Sequence, residues 1–160
     1  MIKIMEKAQM TLGVITLSIF FIAILIQIVS RHMGIAIIWT EEVANYSFIW
    51  SIFMGAAVMV NKREHFSFDF LTLKLHGIKK TLLIMVIDLI VLLFALALLY
   101  YGISATQTFW DYNWVALPEM KMGYVWVSLP IMGLTMAIYC LNHLFNGFKD
   151  FKNLRGGAEL

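Results

Sequence analysis

The chain has 160 residues, 61% of them hydrophobic and only 14% charged, with a mean hydropathy of +0.82. A soluble globular domain averages roughly 45–50% apolar and about 25% charged, so one water-facing core cannot hide this surplus, and lipid is the solvent that can. The net charge of +2 is too small to imply a nucleic-acid partner.

The first apolar run covers about 10–30 and follows Lys3 and Lys7. A basic start before an apolar run imitates a secretory signal. This run exceeds the usual core of about 7–15 residues, and no small-x-small cleavage site follows it, so a retained transmembrane helix is expected. Residues 33–39 (MGIAIIW) are too apolar for a free loop and too short to span. They predict an interfacial helix on the outer side.

The second run, about 43–60, is the shortest and opens with Trp39, Thr40, Glu41 and Glu42. Thr40 suits a helix cap, and two acids in a first turn suit the positive end of the helix dipole. The two carboxylates can also serve a basic group on another subunit. Neighbouring helical positions point about 100° apart. One carboxylate is therefore expected to pair inside the chain, for example with Arg31, while the other faces outward. Ser47, Ser51 and Gly55 recur every fourth residue, with Ala56 and Ala57 alongside. Small residues let helices approach closely, either within the chain or against a second subunit.

Asn61 to His65 (NKREH) closes this span as a solvated boundary, and residues 66–75 (FSFDFLTLKL) predict a second interfacial helix. The third run, about 82–103, holds Asp88. That acid lies about six residues, roughly 9 Å, inside the span. Intramembrane acids are costly and face protein or water. Asp88 fits an interior hydrogen bond reached by a basic partner, or a coupling-ion or proton site for which one lone acid is thin support. The third loop, to about residue 122, contains Pro118 and aromatic residues and is expected to be ordered against a partner or headgroups. The fourth run, about 124–145, repeats the small spacing at Gly133 and Ala137 and carries the single cysteine, Cys140, expected to pack as a small apolar residue.

Each run meets the length of a membrane span, roughly 17–25 residues. Helices are the open-ended solution, because lipid cannot satisfy backbone N–H and C=O groups. The fold class is therefore all-α integral membrane, one domain over 1–160. Ten of the twelve Lys and Arg residues lie before the first run, in the second loop or after the fourth; Arg31 and Lys121 lie in the other two loops. By the positive-inside asymmetry, both termini and the second loop are cytoplasmic.

No enzyme motif appears in the chain, neither H-E-x-x-H nor G-x-S-x-G nor a P-loop. The four histidines, His32, His65, His76 and His143, lie near helix ends or in loops, whereas a membrane haem needs axial histidines inside the spans. No cofactor is expected.

Arg31, Trp39-Thr40-Glu41-Glu42, Phe48-Ile49-Trp50, Phe53-Met54-Gly55-Ala56-Ala57 and Arg63-Glu64-His65 with Asp69 together resemble the small, DctQ-type membrane subunit of TRAP (tripartite ATP-independent periplasmic) transporters. The resemblance implies a large membrane subunit and a periplasmic substrate-binding protein as partners. It also implies uptake of an organic acid driven by sodium, with sodium bound by the large subunit. The small subunit is then a non-catalytic scaffold in the bacterial inner membrane, expected to be free-standing because the chain ends after its fourth span. Arg31, Trp39, Glu41, Glu42 and Trp50 are expected to anchor its outer half. Arg63, His65 and Asp69 would set the inner interfacial segment, and Gly55 and Asp88 would make helix contacts. Many members have arginine where this chain has Asn45, which removes any salt bridge from that position. Sialic acid or a C4-dicarboxylate is the implied substrate type. Two rivals remain: an autonomous homo-oligomeric carrier using Asp88, and a membrane anchor for a redox complex.

Overall fold

A computed structural model describes residues 2–64 and 74–156. Four helices are long and apolar enough to cross a membrane. They are α1 (Ile2–His32), α2 (Trp39–Lys62), α3 (Ile78–Phe109), and a fourth span built from a short α4 (Gly123–Trp126) and a long α5 (Ser128–Gly156). The break between α4 and α5 has a local cause. Pro130 has no N–H to give the carbonyl of Trp126, four residues earlier.

The helices pack in two antiparallel pairs, α1 along α2 and α3 along α5, joined where α2 meets α5. On α1 the sheltered positions include Gln9, Gly13, Thr16, Phe20, Ala23, Gln27 and Ser30. On α3 they include Asp88, Val91, Ala95, Leu98, Gly102, Ala105 and Phe109. Both rows alternate steps of three and four, the 3.5-residue period of a left-handed helix pair. These seams are mostly small or polar, while the remaining faces of α1 and α3 are mostly Ile, Leu, Val and Phe. In lipid, apolar burial does not drive helices together, so close backbone approach and hydrogen bonds must do it.

Both devices are present. A Cβ on Gly133 would stand 2.7 Å from the backbone nitrogen of Leu99 and 3.0 Å from the carbonyl oxygen of Ala95. Gly102 is as close to Pro130 on the same α3–α5 contact. Between α1 and α5, the Tyr139 hydroxyl donates to Gln9 Oε1 at 2.6 Å, and Gln9 Nε2 donates to Thr135 Oγ1 at 2.8 Å. Around them lies one apolar cluster that includes Ala57, Val60, Leu92, Met132, Met136 and Cys140.

The first loop differs from expectation. Residues 33–38 form a turn, not an interfacial helix, and Trp39 already belongs to α2. Gly34, at φ +77°, ends α1. The Ile35 N–H reaches the Ser30 carbonyl and the Gly34 N–H the Arg31 carbonyl, the paired bonds of a Schellman stop. Six residues then suffice only to reverse the chain into α2. The expected interfacial segment 66–75 lies outside the described residues except for Lys74 and Leu75.

The close approach generates a prediction. Gly133→Ala lowers stability in detergent by about 1–3 kcal/mol, because a methyl group must displace backbone. Gly55→Ala leaves the thermal midpoint unchanged or slightly higher, since a Cβ there has no atom within 4 Å and alanine favours helix.

Candidate functional site

Two polar assemblies sit at opposite ends of α2. At its C-terminal end, Arg63 Nη2 donates to Asp88 Oδ2 at 2.7 Å. The carboxylate is buried, while the guanidinium is partly exposed. Asp88 is thus a bonded intramembrane acid whose basic partner comes from the same chain.

The backbone at Arg63 is unusual. Its φ of 59° and ψ of 26° are left-handed, and it is the one non-glycine with positive φ among the described residues. This conformation costs a side-chain-bearing residue roughly 1–2 kcal/mol, which is why glycine is the usual choice there. Here the Arg63 and Glu64 N–H groups close α2 on the carbonyls of Val60 and Met59. The left-handed turn carries the chain away from α2 while the side chain returns to α3. An arginine is retained because glycine has nothing to offer Asp88. His143 of α5 faces the other carboxylate oxygen, with Nδ1 at 3.6 Å from Oδ1. That distance is too long for a hydrogen bond. The Arg63–Asp88 pair therefore joins the end of α2 to α3, with His143 of α5 beside it but not bonded to it. Nearby, Asn61 Nδ2 donates to Glu6 Oε2 at 2.9 Å and ties in α1.

At the N-terminal end, α2 receives the third loop along one stripe of positions 42, 46 and 50. The Glu42 carboxylate accepts the backbone N–H groups of Val115 at 2.7 Å and Ala116 at 2.8 Å. One turn on, the Tyr46 ring packs on Trp114 with centroids 4.4 Å apart. A further turn on, Trp50 Nε1 donates to the Tyr124 carbonyl at 2.9 Å. The loop itself is a small hairpin. Trp114 N–H bonds the Met120 carbonyl, Met122 N–H bonds the Tyr112 carbonyl, and Leu117 to Met120 close a turn with Pro118 at its second position. That is where the fixed φ of proline fits.

Lys121 pairs with Asp111 at 2.8 Å across the hairpin base. The Asp111 carboxylate, by that hydrogen bond and its charge, raises the Lys121 ammonium above its ordinary 10.5. A raised lysine contributes fully below its unfolded value and loses its contribution only as pH climbs through the folded one. The hairpin base is therefore indifferent to pH near neutrality.

Several expectations need correction. Thr40 does not cap α2; it is fully buried inside the first turn, and its hydroxyl donates back to the Ile37 carbonyl at 2.7 Å. The helix starts two residues earlier than a Thr40 cap requires, with Ile38 in the cap position. Glu42 pairs inward, but with backbone of the third loop and not with Arg31. Arg31 is exposed at the end of α1 and makes no ion pair among the described residues. Glu41 faces outward, as its 100° offset demands. The third loop is ordered by this chain's own α2. Gly55 does not pack within the chain but faces open space, whereas Ala57 is buried. Trp39 is partly exposed at the start of α2. His65 and Asp69 lie outside the described residues. Sequence reading missed Gln9, Tyr139 and Tyr46. The polar and small residues recurring along α1 every third or fourth position were the available signal for the first.

The profile described as "Tripartite ATP-independent periplasmic transporters, DctQ component" matches residues 20–150. The chain belongs to that family. It is 32% identical over 144 residues, 88% of each chain, to a putative TRAP transporter small permease protein of Haemophilus influenzae (strain ATCC 51907 / DSM 11121 / KW20 / Rd). It is 25% identical over 125 residues, 77% of this chain and 70% of the other, to the sialic acid TRAP transporter small permease protein SiaQ of Vibrio cholerae serotype O1. With the sialic acid TRAP transporter permease protein SiaT of Haemophilus influenzae (strain 86-028NP) it shares 27% identity over 158 residues, 94% of this chain. It spans about a quarter of that protein's length, 24%. The two polar assemblies therefore belong to a DctQ-type multi-pass membrane protein.

Arg63 offers a test of both backbone and charge. Arg63→Ala leaves a buried carboxylate without its donor, at a cost of about 1–3 kcal/mol for an unsatisfied buried group, and keeps the left-handed strain. Arg63→Gly loses the same pair but relaxes the backbone, so it is the milder change by about 1 kcal/mol in detergent unfolding. Equal losses would contradict the account of the turn. At the other end, Glu42→Ala raises amide exchange at Val115 and Ala116 while the α3–α5 contact stays protected.

Proposed function

We propose that this chain is the small, non-catalytic scaffold subunit of a TRAP transporter that imports an organic acid, of the sialic acid or C4-dicarboxylate type, down a sodium gradient. Both termini and the loop between α2 and α3 lie in the cytoplasm. A large membrane subunit carries the substrate and sodium sites, and a periplasmic binding protein delivers the substrate. Family membership supports the transporter assignment, and the relatives named for sialic acid support the substrate type.

One observation carries the scaffold reading. The acid deep in a span, Asp88, is already held by Arg63 of the same chain. A coupling-ion site needs a carboxylate that can exchange its partner for an ion, and this one is committed to joining α2 to α3. The same pairing speaks against an autonomous carrier built on Asp88.

Reconstitution tests the proposal. Proteoliposomes holding the large subunit, the binding protein and this chain take up substrate when sodium is supplied, and lose uptake when this chain is omitted or sodium is replaced by potassium. Asp88→Asn lowers recovery of the assembled complex and uptake in parallel. Uptake by this chain alone, abolished by Asp88→Asn with folding intact, would falsify the scaffold role.

A further inference from the structure

The exposed side of α2 carries a second pattern, unlike that of any other span. Between Thr40 and Lys62 the exposed positions are Glu41, Asn45, Phe48, Ile52, Gly55, Met59 and Lys62. Every other position in that stretch is sheltered by α1, α5 or the outer hairpin. The steps are four, three, four, three, four, three. This is the period of a helix seam, like the rows that α1 and α3 present to their own partners, but here none of the described residues covers it.

Its composition distinguishes it from a lipid-facing surface. From Ser128 to Phe145 the exposed positions of α5 are Ile131, Leu134, Leu141 and Phe145, which suit acyl chains. The α2 stripe has a glycine at its centre, and a Cβ built there has no atom within 4 Å. Large flanking side chains at Ile52 and Met59 make that glycine a notch, the shape that lets a second helix backbone come close. Asn45 lies six residues, roughly 9 Å, along the helix from Trp39. Its carboxamide makes no hydrogen bond among the described residues, and an amide facing hydrocarbon is costly unless protein satisfies it. Glu41, one turn before it, is exposed and makes no ion pair among the described residues.

We infer that this seam receives a transmembrane helix of the large membrane subunit, crossing α2 closely at Gly55 and presenting a cationic or N–H donor side chain to Glu41 and Asn45. The inference rests on the scaffold reading above and specifies which face of the scaffold is used. The relative SiaT supports a polytopic occupant, since the region matching this chain is 24% of a longer permease.

The test uses the full chain co-expressed with its large subunit, with the amount of large subunit retained on tagged small subunit read after detergent extraction. Gly55→Leu points into open space and favours helix, so the chain folds, as its helicity and gel-filtration profile verify. It retains roughly tenfold less large subunit, the loss expected for ~1.4 kcal/mol of contact. Ala97→Leu, the same kind of change on the exposed side of α3, retains the wild-type amount. Glu41→Arg, which reverses charge without touching the notch, also lowers retention. Wild-type retention by both Gly55→Leu and Glu41→Arg overturns the inference while leaving the scaffold reading intact. Loss of a self-dimer in Gly55→Leu with the large subunit still bound overturns it in favour of a second copy. Failure of the wild-type chain to capture the large subunit sinks the scaffold reading, and this inference with it.

Discussion

Hydrocarbon offers no hydrogen bonds, and most of the organisation of this protein follows from that constraint. A polar group placed below the headgroups must find its partner in protein. Asp88 finds Arg63, and satisfying it determines how α2 ends, which turn leaves it and how α2 and α3 are levelled. Gln9 finds Tyr139 and Thr135, and in doing so sets α1 across α5. Where no polar bond joins two spans, glycine supplies the alternative. Gly102 and Gly133 bring α3 and α5 close enough for many small dispersion contacts. Nothing in this list depends on a large apolar core, which lipid would not reward.

The sequence announced these features unevenly. Four spans were legible because length and hydropathy are summed over about twenty residues and tolerate local error. The division of labour between Glu41 and Glu42 was legible because 100° per residue forces neighbours apart. The partner of Glu42 was not, since it is the backbone of Val115 and Ala116, and backbone N–H groups leave no mark in a sequence. Gly55 misled for a related reason. A small-residue stripe marks a close contact but does not say on which side of the helix it falls, and α2 has neighbours on most of its circumference. Thr40 misled because a cap and a first-turn residue differ by one or two positions, below what composition can resolve.

On the proposed scaffold reading, the two ends of α2 explain how a small subunit serves a transporter without binding its cargo. One end is fixed by a half-buried ion pair and the other by a hairpin clamped onto Glu42, Tyr46 and Trp50. A helix held at both ends is a rigid rail, and its one exposed seam can present constant geometry to a neighbour that moves. Rigidity in this sense comes from satisfied polar bonds at defined positions.

The most direct test of the scaffold account is therefore a distance measured during turnover. Spin labels at the exposed positions 62 and 146, in a Cys140→Ala background, report the α2–α5 separation in the reconstituted transporter. One distance distribution, unchanged by sodium, substrate or the binding protein, is the result predicted. A second population that appears with substrate and sodium would mean that this chain moves with the transport cycle, and would contradict the account.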